Sequence, residues 1–146
     1  MDIRHRIGVR SAPPERVYEA LTTLDGLRGW WTTDTTGDPG LGGRITFRFA
    51  GGVIEVEVRE LDTDKRVAWT VVGGPDEWID TTITFALSED DGFTIVTFDH
   101  DGWASVSDFM HHCSTKWAVF LLSLKSLLET GTGAPHPHDH EVDSWD

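Results

Sequence analysis

The chain has 146 residues, 38% of them apolar and 25% charged, with seven tryptophans, a composition typical of one globular domain with a buried core. Cys113 is the only cysteine, which excludes an intramolecular disulfide framework and any multi-cysteine zinc or iron–sulfur site. The net charge of −13 argues against nucleic acid or an anionic membrane surface as the main partner. We find neither a secretory signal nor a membrane span, and therefore expect a cytoplasmic protein without membrane insertion.

The first third of the chain predicts one strand, two helices and a loop. Apolar residues alternate with arginines over residues 3–10, which is the period of a half-buried strand. Apolar residues then recur at helical spacing until Asp25-Gly26, and Trp30 and Trp31 indicate a second, short helix. Residues 32–43 are rich in Gly, Asp, Thr and Pro and predict a loop.

The rest of the chain predicts an antiparallel meander followed by one long helix. Short strand-like segments separated by turn signals are found over residues 44–50, 53–61, 66–72, 78–87 and 93–100. Apolar residues recur every three to four positions from about residue 104 to residue 129, which predicts an amphipathic helix. We therefore expect a single domain over residues 1–133 and a polar, His-rich, acidic and flexible tail over residues 134–146.

This order of elements predicts an α+β protein with the helix-grip fold. A curved antiparallel sheet of about six strands has one apolar face to bury, and the long C-terminal helix is the only element long enough to cover it. Two short helices follow the first strand in this arrangement.

Three motifs carry a resemblance to a known family. They are APPERVYEALT at residues 12–22, LRGWWT at residues 27–32 and WAVFLLSLKSLLE at residues 117–129. The chain resembles the START/SRPBCC superfamily over residues 3–130, and within it the homologues of the heat-shock-protein-90 ATPase activator. This superfamily also includes the major birch pollen allergen and polyketide cyclases. Where that family often has glycine before the closing-helix tryptophan, this chain has Lys116, which adds a charge near the presumed cavity.

The resemblance implies a cavity between the sheet and the long helix, which many relatives use for lipids, polyketides or hormones. The aromatic residues on predicted inward faces either line such a cavity or fill a closed core. We predict that the ligand contacts aromatic side chains together with His112 and Lys116 as polar anchors. The aromatic candidates are Trp31, Phe47, Phe49, Trp69, Phe85, Trp103, Phe109, Trp117 and Phe120.

His112 and Asp108 are the candidates for proton transfer. They are spaced i,i+4 on the long helix, so Asp108 can orient the imidazole, and Lys116 lies one turn further on. The alternative is a solvated helix flank with an ordinary side-chain pair. We interpret His5 and Cys113 as packed core residues.

Three further features are interpreted as unrelated to catalysis. We place His100, near a strand end, on the surface. The glycine-rich segment 37–43 precedes a strand rather than a helix, so we interpret it as a mobile segment near the cavity entrance rather than a phosphate loop. The histidines of the tail are suitable metal ligands, but their exposed position favours a flexible segment, and we predict neither a metal nor a cofactor.

We predict a binding protein that holds a small apolar or amphipathic molecule. An enzyme of the cyclase, dehydratase or hydrolase kind, with His112 as its base, is the alternative. A chaperone-interacting module is a third possibility, which we do not favour, because the namesake activator has a second domain for which no residues remain here. The sequence leaves homodimer formation open.

Overall fold

The computed structural model describes residues 1–146 and contains seven strands and three α-helices. The strands are β1 (Asp2–Arg10), β2 (Thr35–Gly37), β3 (Arg44–Phe49), β4 (Gly52–Asp62), β5 (Arg66–Gly73), β6 (Thr82–Asp90) and β7 (Phe93–Asp101). The helices are α1 (Pro14–Thr22), α2 (Leu24–Trp30) and α3 (Asp108–Thr130), with a 3-10 turn at Asp76–Trp78. None of the helices combines the length and hydropathy that a transmembrane span requires.

All seven strands form one antiparallel sheet in the order β1-β7-β6-β5-β4-β3-β2. The meander from β3 to β7 follows the predicted segments, and β1 completes the sheet by pairing with β7. The predicted number of about six strands increases to seven, because β2 lies within the predicted loop over residues 32–43. With only three residues, β2 is too short to show an alternating pattern, and it forms by pairing with β3.

The inner face of the sheet is apolar and the sheet is irregular where it bends. In β4, Ile54, Val56 and Val58 are buried while the glutamates between them point outward. The register between β4 and β5 shifts twice, between Glu55 and Val56 and between Val58 and Glu60. Such bulges increase the local twist, which lets the sheet curve around a helix.

The α3 helix covers this inner face. Ser107 caps its N-terminus by accepting a 3.1 Å hydrogen bond from the Met110 amide, which is why the helix begins four residues after the predicted start. Its buried side includes Trp117, Leu121 and Leu124. The helix ends at Gly131, whose φ of 86° is favourable only for a residue without a Cβ. Together with the curved sheet, α3 confirms the predicted α+β helix-grip fold.

The two short helices close one end of the interior. Leu21, Leu27 and Trp30 are fully buried, and the Trp30 Nε1–H donates a 3.0 Å hydrogen bond to the Ala20 carbonyl. The Trp30 ring also packs edge-on against Phe85 at 6.1 Å between centroids. At this end, side chains of α2 and of the sheet are therefore in direct contact.

The segment after α3 folds back along the body of the protein. The Ala134 amide donates to Ser123 Oγ, and the His136 amide donates to the Trp31 carbonyl, both at 2.8 Å. The His136 carbonyl then accepts from the Thr33 amide at 3.1 Å. The chain ends beside the first turn of α3, where the ring of Trp145 lies against Phe109. Residues 134–146, predicted to be flexible, therefore have a defined position, and we call them the C-terminal tail.

Candidate functional site

A cavity of about 1110 Å³ lies between α3, the sheet and the C-terminal tail. It is at the end of the interior that α1 and α2 do not close. The sheet side contributes the β3–β4 hairpin and the turn after β5. The body residues that line it are Trp31, Phe49, Ala50, Gly51, Gly52, Val53, Ile54, Gly74, Pro75, Trp78, Phe109, His112, Cys113, Lys116, Trp117 and Phe120.

Aromatic rings make up the inner wall. Trp31 lies at the centre, with its ring centroid 4.9 Å from that of Trp117 and 5.8 Å from that of Phe49. Phe49 in turn contacts Phe120, at 6.2 Å between centroids. Trp78 stacks on the far side of Trp117 at 5.9 Å. The wall is therefore a continuous apolar surface supplied by the residue after α2, by β3, by the 3-10 turn and by α3.

The structure separates the predicted ligand contacts into two groups. Trp31, Phe49, Phe109, Trp117 and Phe120 line the cavity, and so do His112 and Lys116. The remaining predicted contacts lie in the closed core and do not reach the cavity; they are Phe47, Trp69, Phe85 and Trp103. Aromatic residues lie on inward strand faces both in the closed core, as Phe85 does, and at the cavity, as Phe49 does, so alternation alone does not show where the interior opens.

Lys116 is held at the cavity mouth by the C-terminal tail. Its Nζ donates to Asp139 Oδ2, to the His140 carbonyl at 3.0 Å and to Asp146 Oδ2 at 3.3 Å, which uses all three ammonium protons. The ammonium also lies 5.2 Å from the centroid of the Phe120 ring. Burial alone would raise the pKa of Asp139, but the Lys116 hydrogen bond and charge outweigh it and lower that pKa below its usual range.

His112 has a different carboxylate partner from the one expected. Its Nδ1 lies 2.8 Å from Asp143 Oδ2 of the tail, and the Trp145 ring packs edge-on against it. Asp108 is turned to solvent and lies 3.7 Å from His111 Nδ1 instead. The expected pair fails because Asp108 belongs to the exposed first turn of α3, whereas the tail brings a carboxylate directly to the imidazole. The hydrogen bond from His112 lowers the pKa of Asp143.

The tail histidines do not form a metal cluster among themselves. His136 Nε2 accepts from the Ala50 amide at 3.1 Å, and Nδ1 lies 3.1 Å from Asp139 Oδ1, so both ring nitrogens are engaged. His112, Asp143 and Asp146 bring three ligand-type atoms within 4.8 Å of one another. However, the Lys116 ammonium already lies on Asp146, so a cation occupies part of that cluster.

His100, expected on the surface, is fully buried behind the cavity wall. Trp117 Nε1–H donates to its Nδ1 at 3.1 Å, and its Nε2 lies 2.8 Å from Thr81 Oγ1. Because Thr81 donates its own proton to the Trp78 carbonyl, this chain of bonds is complete only with a neutral imidazole protonated at Nε2. Burial accordingly lowers the pKa of His100 to about 3. The expectation was wrong because His100 shares the inward face of β7 with Phe98, and this face stays covered up to the end of the strand.

Two other residues are packed as expected. Cys113 is buried and accepts a 3.4 Å hydrogen bond from Trp78 Nε1, and burial raises the pKa of its thiol to about 12. A thiol of this kind is not a nucleophile at neutral pH. His5 is half-buried and its Nε2 lies 3.1 Å from the Ser114 carbonyl, which ties β1 to α3.

The glycine-rich segment 37–43 lies away from the cavity, in contrast to its expected position at the entrance. Its end lies beside β4 in space. There the Gly42 amide donates to the Val58 carbonyl and the Gly43 carbonyl accepts from the Val58 amide, both at 2.9 Å. The glycines at the entrance are Gly51, Gly52 and Gly74. Gly52 and Gly74 have φ values of 156° and 140°, so their turns depend on residues without a Cβ.

Comparisons with known proteins agree with this architecture. Residues 11–129 match the model of the family described as "Activator of Hsp90 ATPase homolog 1-like protein". The chain belongs to this family. The match confirms the predicted resemblance and includes the cavity walls supplied by β3, β4 and α3. The C-terminal tail lies outside the matched residues.

Several solved structures share the fold. The Aha1 dimer from Colwellia psychrerythraea is 49% identical, with a TM-score of 0.84 over 91% of this chain and 99% of that chain. The protein SSP2350 from Staphylococcus saprophyticus is 23% identical, with a TM-score of 0.75 over 91% and 95%. The protein MLL2253 from Mesorhizobium loti is 20% identical, with a TM-score of 0.75 over 88% and 96%. The search of curated proteins gave no significant match.

Several cavity residues were missed by the sequence prediction. Trp78 was assigned to a strand, but it belongs to the 3-10 turn at Asp76–Trp78, for which Pro75 is the available sequence signal. The tail residues of the cavity were missed as a group; they are His136, Pro137, Asp139, Glu141, Trp145 and Asp146. Polar tails of such composition carry no periodicity, so no local pattern predicts that this one docks.

Proposed function

We propose that this protein binds a small apolar or amphipathic molecule in the cavity between α3 and the sheet. The observation that supports the proposal most directly is the cavity of about 1110 Å³ itself, which the aromatic wall around Trp31 and Phe120 borders. Ligand pockets in proteins measure roughly 300–1,000 Å³ and combine apolar walls with a few polar groups. Here His112 and Lys116 are those polar groups.

An uncharged fluorescent probe, N-phenyl-1-naphthylamine, tests the proposal. We expect one probe to bind per chain with enhanced emission. Burial of its apolar surface in the cavity contributes a favourable free energy of roughly 25 cal/mol per Å². Val53→Trp should block the entrance, since Val53 lines the cavity and is 48% exposed. Val106→Trp is the matched control, because Val106 is at least as exposed, at 57%, but lies outside the cavity.

Native mass spectrometry of freshly purified protein gives a second test. A ligand retained from the cells would add a mass that disappears under denaturing conditions. The proposal fails if wild type neither carries such a mass nor binds the probe, or if V53W and V106W bind the probe equally well.

An enzyme acting on the bound molecule is a second candidate, supported by the geometry of His112. Its imidazole is 11% exposed, lines the cavity and is oriented through Nδ1 by Asp143, while Nε2 makes no hydrogen bond. A neutral imidazole held in this way can accept a proton from a ligand. His112→Gln distinguishes the two roles: chemical conversion of the retained molecule should stop in an enzyme, whereas ligand retention should persist in a binding protein.

Self-association and a chaperone partner are further proposals. The 49% identical Colwellia psychrerythraea relative is described as a dimer, which supports a homodimer here. Light scattering during size exclusion gives the mass in solution and contradicts a dimer if it corresponds to 16.3 kDa.

The family description supports an Hsp90 partner, which an ATPase stimulation assay tests. Cytoplasmic location stays a prediction.

A further inference from the structure

The body and the tail contribute opposite charges to the cavity. Among the sixteen lining residues of the body, Lys116 is the single one with a permanent charge. All three lining carboxylates belong to the C-terminal tail; they are Asp139, Glu141 and Asp146. Without the tail, the cavity is therefore an apolar space with one ammonium at its mouth.

The ammonium of Lys116 is paired with two carboxylates. Its two carboxylate partners, Asp139 and Asp146, are more buried than Lys116 itself, with side-chain exposures of 8% and 12% against 15%. The same ammonium lies against the Phe120 ring of the aromatic wall. A charge at the boundary of an apolar cavity costs free energy unless an anion accompanies it, and in this structure the tail supplies that anion.

The outer part of the tail is held in a way that permits release. Residues 134–136 are joined to the body by backbone hydrogen bonds to Trp31 and Thr33. Beyond His136, no backbone–backbone hydrogen bond joins the tail to the body, and the contacts are the side-chain bonds of Lys116 and His112 and the packing of Trp145. Trp145 itself is 55% exposed. Release of residues 137–146 would therefore leave the sheet and helices intact.

We propose that Lys116 anchors the carboxylate of an acidic amphipathic ligand, and that Asp139 and Asp146 of the tail occupy this anchor until the ligand displaces them. The inference rests on the proposed binding function and names its ligand class. The apolar part of the ligand lies against the aromatic wall, and its carboxylate takes the hydrogen bonds that Lys116 now makes to the tail. The released residues 137–146 then move away from the cavity mouth.

Three twelve-carbon probes with the same apolar body test the ligand class: dodecanoic acid, dodecanol and dodecylamine. Each is titrated as a competitor of N-phenyl-1-naphthylamine against the full-length chain. We expect wild type to bind the acid more tightly than the alcohol, and the amine more weakly than either. Lys116→Met should abolish the preference for the acid while dodecanol still binds, because the apolar wall is unchanged.

The tail variant tests the competition. Asp139→Asn/Asp146→Asn removes both internal carboxylates, and we expect the affinity for dodecanoic acid to rise by about tenfold, the usual effect of one charge-assisted hydrogen bond. The affinity for dodecanol should change much less. Glu141→Gln is the matched control, since Glu141 is a tail carboxylate at the same cavity that makes no hydrogen bond, and its effect should stay below about twofold.

Hydrogen exchange gives a readout that does not depend on the variants. Dodecanoic acid should raise amide exchange within residues 137–146 of wild type and leave exchange in α3 unchanged. Dodecanol should change the exchange of neither segment. Equal affinities for acid and alcohol, an acid preference that survives K116M, or a preference for the amine overturns the inference while leaving the binding function in place. If the probe binds but none of the three displaces it, the inference alone is overturned. If the probe does not bind and the protein carries no retained mass, the binding function is overturned as well.

Discussion

The two ends of the aromatic interior differ in what covers them rather than in what they contain. At the closed end, Phe47 and Phe85 are completely buried and Trp30 of α2 packs on Phe85. At the open end, Phe49 and Phe109 are half-buried and face the cavity. Apolar helices cover the first set and an acidic tail covers the second. An aromatic stripe thus becomes a closed core or the wall of a cavity according to its neighbours.

The largest expected effect distinguishes the two ends by stability. Phe85→Ala leaves a cavity in the closed core and should lower the free energy of unfolding by about 3–5 kcal/mol. Phe49→Ala removes a ring that already borders open space, so we expect a loss of less than about 2 kcal/mol. Urea unfolding of both variants measures the difference. Equal losses would show that the two ends are packed alike.

The buried network behind the cavity wall should make the protein sensitive to acid. His100 has a folded pKa of about 3 against 6.5 when unfolded, so the unfolded state binds the extra proton between these values. Its contribution to stability is therefore complete above pH 6.5 and is lost as the pH falls. Between pH 7 and pH 5 we expect a loss of about 2 kcal/mol from this group.

His100→Gln isolates that contribution, because Asp99 acts in the opposite direction. Burial, with the nearby Asp2, raises the pKa of Asp99 to about 6, so this carboxyl favours the folded state as the pH falls from 6 toward 3.8. Both variant and wild type contain Asp99, and its effect cancels in their difference. The stability advantage of wild type over H100Q should shrink from pH 7 to pH 5, and a constant difference would contradict a neutral buried imidazole.

The sequence predicted more of the fold than of the site. Alternation in β4 and helical spacing in α3 depend on burial along each element, so both could be recognised locally. The cavity could not be recognised in this way, because it depends on where the space between the sheet and the segments that cover it is left without side chains. Lys116 was recognised as a charge near the cavity, but its partners Asp139 and Asp146 follow more than twenty residues later in a segment without periodicity. His100 was missed because its burial depends on Thr81 and Trp117 from other elements.

The residue directly before the tail offers a smaller perturbation. A Cβ at Gly133 would lie 2.2 Å from the Gly29 carbonyl oxygen and 3.1 Å from that of Ser123. Gly133→Ala should therefore displace the tail and lower the free energy of unfolding by roughly 1–2 kcal/mol. Gly51→Ala is the control, because a Cβ there meets nothing within 4 Å. Urea unfolding and hydrogen exchange of residues 134–146 check both, and a G133A variant with an unaltered tail would contradict this contact.

The smallest effect on stability is expected for Trp145, the tail residue that lies against α3. Its ring contacts Phe109 at 6.2 Å and His112 at 5.6 Å between centroids, yet more than half of the side chain is exposed. Trp145→Ala should change the free energy of unfolding by less than about 1 kcal/mol, because folding buries little of the apolar surface of this side chain. Amide exchange in residues 137–146 should nevertheless rise several-fold. This segment can open locally without global unfolding, and the loss of the Trp145 ring lowers the free energy of that opening. A loss as large as that of F85A would show that the tail is part of the core and that the two ends are covered equally firmly.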